Sequence, residues 1–294
     1  VLASAAAEAS LPMIMSGSSL IPLEEVVAQS PDTWFQAYLP GEVDRIEALV
    51  GRVDRAGVQT LVLTVDTAVL ANRENNIRAG FSTPLRPNLR LAWDGLTHPR
   101  WLLSTALRTL LLHGMPHFEN SYATRGAPIL SSRVTRDFGA KDHLDWEHLA
   151  LIRRKWKRTL VVKGLMSAAD ARAARDAGAD GVIVSNHGGR QLDGAVAPLR
   201  VLPEIVAAVG DQIPVMMDSG IPRGTHVVKA PGLGAKMVVV GRPFLYAAAV
   251  AGEPGVRHAL RILADEVQRD LGLLGLNSVR ELGPAQLRPI APRP

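Results

Sequence analysis

The segment Ser185–Asp193 reads Ser-Asn-His-Gly-Gly-Arg-Gln-Leu-Asp and follows directly on the apolar run Gly181–Val184. Its residue types suit chemistry on a small acid. A histidine exchanges protons near neutral pH, an arginine grips a carboxylate with parallel N–H donors, and paired glycines let a ligand approach the backbone. A solvated polar turn has the same composition, so the rest of the chain must decide. Similar residues stand at the ends of the other apolar runs: Ser18 and Ser19; Gln36 and Tyr38; Thr64 and Asp66, with Arg73 beyond; Lys163; Asp218, Ser219 and Gly220; Gly241 and Arg242. Singly, each has a plain structural reading: Tyr38 a core aromatic, Asp66 a helix cap, Lys163 a snorkelling rim residue, Gly220 a turn glycine. Together they place a base, acids, arginines, a lysine and hydroxyls at one end of the strands, where chance decoration would spread over both ends.

By type, His187 is the candidate general base and Asp66 the group that stabilises its imidazolium. Arg73 and Arg190 suit a substrate carboxylate. Gly241 and Arg242, beside Ser219 and Gly220, offer backbone N–H groups and a cation for a phosphate. Lys163 has two open readings, a Schiff base with a carbonyl substrate or a cation that neutralises an anionic cofactor ring.

Such a set needs a rigid frame. Apolar runs at Leu11–Met15, Trp34–Leu39, Thr60–Asp66, Thr159–Gly164, Gly181–Asn186, Val215–Gly220 and Met237–Arg242 alternate with helical stretches at 41–57, 145–156, 167–178 and 198–210. Near-continuous apolar strands joined by helices indicate a parallel sheet covered on both faces. Seven strands are legible, whereas a closed (β/α)8 TIM barrel has eight in about 250 residues. The chain begins without Met inside the Ala-rich helical pattern VLASAAAEAS, so we expect the first strand and the residues before it to lie upstream. The rival, an open doubly wound sheet, lacks its GxGxxG turn. Residues 1–294 read as one domain with a long insertion at about 68–141 that breaks the strand–helix rhythm. Within the insertion, Trp101, Leu102, Leu103, Leu107, Leu110 and Leu111 are flanked by Arg100, Arg108 and His113. This predicts a basic amphipathic helix, packed on the barrel or a partner subunit, or laid on a membrane surface.

The 294 residues are 47% hydrophobic, carry a net charge of +5 and include no cysteine. That excludes disulfides and cysteine chemistry and fits a reducing compartment; no metal site is expected. Lys and Arg are dispersed, without the basic stripe or module of a nucleic-acid binder, so no nucleic-acid partner is expected. The mild positive excess favours an anionic substrate, a phosphate-bearing cofactor or an acidic membrane surface. No apolar run reaches the roughly 20 residues that span a bilayer, and the first residues lack the basic segment of a signal peptide.

SNHGGRQLD, TVD followed by Arg73, VVKG, and DSG followed by GRPFLY occur in the chain. Together they resemble the FMN-dependent α-hydroxy acid dehydrogenase and oxidase family, to which L-lactate dehydrogenase, mandelate dehydrogenase and glycolate oxidase belong. The resemblance runs from the first residues to about Leu282. It implies a (β/α)8 barrel that holds FMN and oxidises an L-2-hydroxy acid, lactate- or mandelate-like, to the 2-oxo acid. A quinone, cytochrome or oxygen would reoxidise the flavin. Carried over by residue, it implies that His187 is the base, supported by Asp66, and that Tyr38, Arg73 and Arg190 hold the substrate. Lys163 would stabilise the reduced flavin at its N1/O2 side. Ser18, Gln36 and Thr64 would bond the isoalloxazine ring, Asp218, Ser219 and Gly220 the ribityl chain, and Gly241 and Arg242 the phosphate. The amphipathic stretch is similar in place to the membrane-contacting insertion of mandelate and lactate dehydrogenases. This implies a cytoplasmic protein in peripheral contact with the inner face of the cytoplasmic membrane, and the family also implies a homo-oligomer.

The chain departs from the family pattern in DSGIPRGTHVVKAPGLGA. Pro222 stands where a phosphate-binding arginine is expected, Arg223 comes one position late, and His226 replaces an acid. Pro231 and Gly232 fall where the family has a regular helix, and an interior proline costs about 3 kcal/mol. We expect weakened FMN binding, with Arg223 as the residue that could substitute. The competing readings are a Schiff-base lyase acting through Lys163 and a non-catalytic, truncated remnant.

Overall fold

The computed structural model describes residues 1–69, 71–81, 83–132 and 142–288. The 133–141 end of the insertion lies outside the described residues. The chain opens in α1 (Leu2–Glu8), followed by β1 (Ile14–Ser16), α2 (Leu23–Gln29), β2 (Trp34–Ala37), α3 (Val43–Arg55) and β3 (Thr60–Thr64). The insertion holds α4 (Glu74–Arg78), α5 (Leu89–Thr97), and α6 (Pro99–Trp101) running through a π turn into α7 (Arg108–His113). Regular alternation resumes with α8 (Trp146–Lys155), β4 (Thr159–Leu165), α9 (Ala168–Asp176), β5 (Gly181–Val184) and α10 (Pro198–Val209). It closes with β6 (Val215–Met217), α11 (Gly224–Gly232), β7 (Met237–Val238) and α12 (Arg242–Leu273), which is kinked at Ala251 and Gly252.

The seven strands form one parallel sheet in the order β1-β2-β3-β4-β5-β6-β7. The side chains show its curvature. Val62, Val161, Ile183 and Met216 cluster together, with Ile14, Trp34 and Met237 packed against them. Each strand thus gives one residue to a common inner layer, the arrangement of a (β/α) barrel interior. Residues of opposite parity, among them Phe35, Leu61, Leu63, Val162, Val182 and Met217, join the core under the helices. Helix α3 buries Ile46, Leu49, Val50 and Val53 there, at helical spacing. Each such side chain contributes roughly 1.5–3 kcal/mol on burial. Asp145 caps α8 and Ser167 caps α9 by accepting backbone N–H groups, which fixes where both helices begin.

Most strands are shorter than their apolar runs predict. β2, β3, β5, β6 and β7 end at Ala37, Thr64, Val184, Met217 and Val238. Single backbone bonds carry the pairing a little further, Val65 to the Lys163 carbonyl at 2.9 Å and Asp218 to the Val184 carbonyl at 3.1 Å. After β5 and β6 the left-handed backbone of His187 (φ 57°), Ser219 (φ 74°) and Gly220 (φ 71°) turns the chain out of the ladder.

The predicted amphipathic helix is present as α6, the π turn and α7, and α5 is a second helix beside it in sequence. None of their residues is buried. Leu89, Trp93, Leu96, Trp101, Leu103 and Leu111 are all exposed. Of the placements left open, packing against the barrel is therefore not what the described residues do. The α5 signal was in the sequence: Asn88 caps it, and Leu89, Trp93 and Leu96 repeat at helical spacing. Past the helices the chain is tied down again. Buried Asn120 accepts from Leu23 N at 2.9 Å and donates to the Ile21 carbonyl at 2.7 Å. Arg52 pairs with both Glu24 oxygens at 2.8 Å and donates to the Glu119 carbonyl at 2.6 Å.

Candidate active site

Side chains along a strand alternate faces. Two residues beyond the inner apolar layer, the inward positions become polar on six strands: Ser16, Gln36, Thr64, Lys163, Ser185 and Asp218. All lie at the C-terminal ends of the strands, where barrels build their active sites. Lys163 Nζ lies 3.1 Å from Asp218 Oδ2 and donates to Ser185 Oγ at 2.9 Å. Ser185, fully buried, also accepts the His187 backbone N–H at 3.0 Å. Ser16 Oγ donates to Gln36 Oε1 at 3.2 Å and accepts the Ser18 backbone N–H at 3.1 Å. Gln36 Nε2 and Thr64 Oγ1 are buried without a hydrogen-bond partner among the described residues. An orphaned buried donor or hydroxyl costs about 1–3 kcal/mol, so these atoms suit a polar ligand seated on the layer.

Above the layer, His187 Nδ1 lies 2.9 Å from Asp66 Oδ1, both side chains largely buried. His187 holds a left-handed conformation that is rare for a residue with a Cβ, and Gly188 and Gly189 follow it at φ 69° and 70°. Asn186 Oδ1 accepts the Gly189 N–H at 3.0 Å and steadies the turn. Asp66 in turn crowds Gly164, where any Cβ would lie 2.8 Å from Asp66 Cβ and Cγ.

Three guanidinium groups collect at the mouth. Arg73, the N-cap of α4, donates to Gln191 Oε1 at 2.6 Å, and its buried Nε has no partner among the described residues. Arg190 has its pKa lowered by partial burial first, then by the positive charges of Arg73 and Arg242; Tyr246 and Tyr38 act in the opposite direction. Arg242 donates to the Gly188 carbonyl at 2.6 Å. Such unfavourable crowding of cations is relieved by an anion.

Toward β6 and β7, Asp218 Oδ1 accepts from Ser219 Oγ at 2.8 Å, and Ser219 Oγ accepts the Gly188 N–H at 2.9 Å. Gly220 has open space where a Cβ would stand, as does Gly241 at the start of α12. Arg223 points elsewhere. Its Nη2 pairs with Glu266 Oε1 at 2.6 Å, while Glu266 Oε2 accepts the first N–H of α11 from Gly224 at 2.7 Å. His226 Nδ1 is buried without a partner among the described residues. Pro231 sits in the last turn of α11, which ends one residue later at Gly232.

Sequence reasoning passed over Ser16, Ser185, Asn120 and Gln191. The period of two, counted from the apolar layer, would have found the serines. Asn120 and Gln191 act through partners about a hundred positions away, for which no local pattern exists.

The FMN-dependent dehydrogenase family model matches residues 1–289. The chain is 39% identical over 290 residues to an (S)-mandelate dehydrogenase of Pseudomonas putida, covering 98% of this chain and 71% of that one. To an L-lactate dehydrogenase of Pseudomonas entomophila it is 39% identical over 284 residues, covering 95% and 73%. Among solved structures it is similar to a monotopic membrane protein, (S)-mandelate dehydrogenase, with a TM-score of 0.86, 37% identity and coverage of 98% and 75%. The seven-stranded arc, the polar layer at its strand ends and these matches agree: the chain belongs to the FMN-dependent dehydrogenase family.

Proposed function

We propose that the chain oxidises a small L-2-hydroxy acid to the 2-oxo acid, using FMN. The observation that carries this reading is the 2.9 Å bond from His187 Nδ1 to Asp66 Oδ1, set among Arg73, Arg190 and Lys163. Thr64 Oγ1 and Gln36 Nε2 are unpartnered among the described residues and suit the polar edge of a flavin ring. Ser18 joins that edge, and Lys163 brings a cation to it. When bound, FMN supplies the acceptor for the two electrons that leave the substrate. Arg73 and Arg190, with Tyr38, hold the carboxylate, whose negative charge offsets the mutual repulsion of the guanidiniums. Asp66 fixes the imidazole with Nδ1 as donor, which leaves Nε2 free to take the substrate proton; the Asp66 carboxylate then stabilises the imidazolium.

Asp218 holds Lys163 in place at 3.1 Å. Ser219 and Gly220 line the way to the phosphate, and Gly241 and Arg242 receive it. Arg223 is committed to Glu266, so the phosphate end carries less positive charge than the resemblance implies. The exposed, basic, apolar face of α5 to α7 suits a membrane surface. That favours a respiratory electron acceptor over oxygen.

The lyase reading needs the Lys163 amine turned onto a carbonyl substrate, but its Nζ is engaged by Asp218 at 3.1 Å and by Ser185 at 2.9 Å. Two assays separate the readings. Turnover with L-lactate and L-mandelate and an artificial electron acceptor should release the 2-oxo acid. Borohydride with a carbonyl substrate should leave Lys163 unmodified in a mass spectrum; an adduct there would support the lyase instead.

A further inference from the structure

Gln191 lies just past the His187 turn and touches both halves of the proposed machinery. Its Oε1 accepts from Arg73 Nη2 at 2.6 Å, and its Nε2 donates to the Asp66 carbonyl at 3.0 Å and more distantly to the Val69 carbonyl at 3.4 Å. The amide can stand only one way round. A guanidinium offers donors and no acceptor, a carbonyl offers the reverse, so a flipped amide would lose every bond. Among the described residues no carboxylate pairs with Arg73. Arg73 is therefore aimed by a neutral acceptor, and its charge stays uncompensated.

We infer that Gln191 is a positioning residue for substrate recognition. It orients Arg73 without neutralising it, and it locks that orientation to the backbone of Asp66, the residue that holds His187. The inference rests on the reading that Arg73 binds a substrate carboxylate. Glutamate in this place would pair with Arg73 and compete with that carboxylate, and, having no N–H, it would also lose the bond to the Asp66 carbonyl. A hydrocarbon side chain would free Arg73 and the Asp66 carbonyl together.

The test uses FMN-loaded wild type, Gln191→Glu and Gln191→Met, with thermal melting as a check on folding. Binding of oxalate is measured by calorimetry, and turnover is measured on an L-2-hydroxy acid and on its methyl ester. Gln191→Glu should weaken oxalate binding and raise KM for the acid by about tenfold or more, the scale of a charge-assisted hydrogen bond. Its loss in kcat/KM on the neutral ester should match that of Gln191→Met within about twofold, because both variants lack the donor to the Asp66 carbonyl and a charge competitor acts only on a charged ligand. Gln191→Met should lower kcat for acid and ester alike, because it loosens the support of His187. Equal losses on acid and ester in Gln191→Glu would reduce Gln191 to a structural role and overturn the inference, as would no loss on either. Wild type that neither binds oxalate nor turns over the acid would defeat the hydroxy-acid reading itself, and this inference with it.

Discussion

At the scale of single residues, the account turns on how His187 is held. Its left-handed backbone, the glycines after it and the 2.9 Å bond to Asp66 leave the ring one orientation. Replacing His187 with glutamine should lower kcat by about 10²–10⁴, the usual worth of a positioned base, with flavin content unchanged; activity near the wild-type level would remove His187 from the mechanism. Gly164→Ala acts one step back. Its methyl would stand 2.8 Å from Asp66, on a backbone at φ 110° that disfavours any Cβ. We expect a kcat loss of about tenfold and a lower melting temperature, and unchanged kinetics would show that Asp66 has room to move. The types of His187, Asp66, Arg73, Arg190 and Lys163 made them legible as candidates in the sequence, because each stands at or shortly after the end of an apolar run. Gln191 and Ser185 were not legible as candidates. An amide and a buried serine carry no chemical signature until the fold supplies their partners.

At the scale of elements, α11 and the turn before it decide the phosphate end. Pro222 brings neither a cation nor an N–H, and Arg223 is bound to Glu266 at 2.6 Å. Pro222→Arg should tighten FMN binding by about tenfold while leaving riboflavin affinity unchanged. An equal gain for both flavins would mean that the turn acts on the ring and not on the phosphate. The sequence disclosed the odd proline but not the engagement of Arg223, since Glu266 lies on a different helix. A second element-level device is Arg52, whose guanidinium hydrogen-bonds Glu24 and holds its carboxyl below the ordinary value, against partial burial. A carboxyl depressed in the folded state contributes stability fully above its unfolded value of about 4.3. That contribution fades as pH falls through the folded value. The melting temperature of Glu24→Gln should therefore trail the wild type at pH 7 and converge with it in acid; a constant gap would contradict the pairing.

At the scale of the whole molecule, the alternation of strands and helices was legible because a buried parallel strand needs an unbroken apolar run. Strand ends were not, because the runs were read on into the polar residues at their tips, such as Asp218 and Ser219, where the ladder has already ended. In the insertion one helix was read and α5 was passed over, although its cap and its apolar spacing both stand in the sequence. Among the described residues no helix is long and apolar enough to cross a membrane. Peripheral attachment through α5 to α7 predicts that Trp93→Ser with Trp101→Ser reduces co-sedimentation with anionic vesicles severalfold without lowering the melting temperature. Undiminished binding would move the contact elsewhere. The central claim, a flavin seated on the polar layer and reduced by a hydroxy acid at His187, has one direct measurement: the visible absorption spectrum of the purified, FMN-loaded chain without oxygen, before and after L-lactate or L-mandelate. The account predicts a flavin band that bleaches with one of these acids in the wild type and persists in His187→Gln. A wild-type band that neither acid bleaches would contradict it.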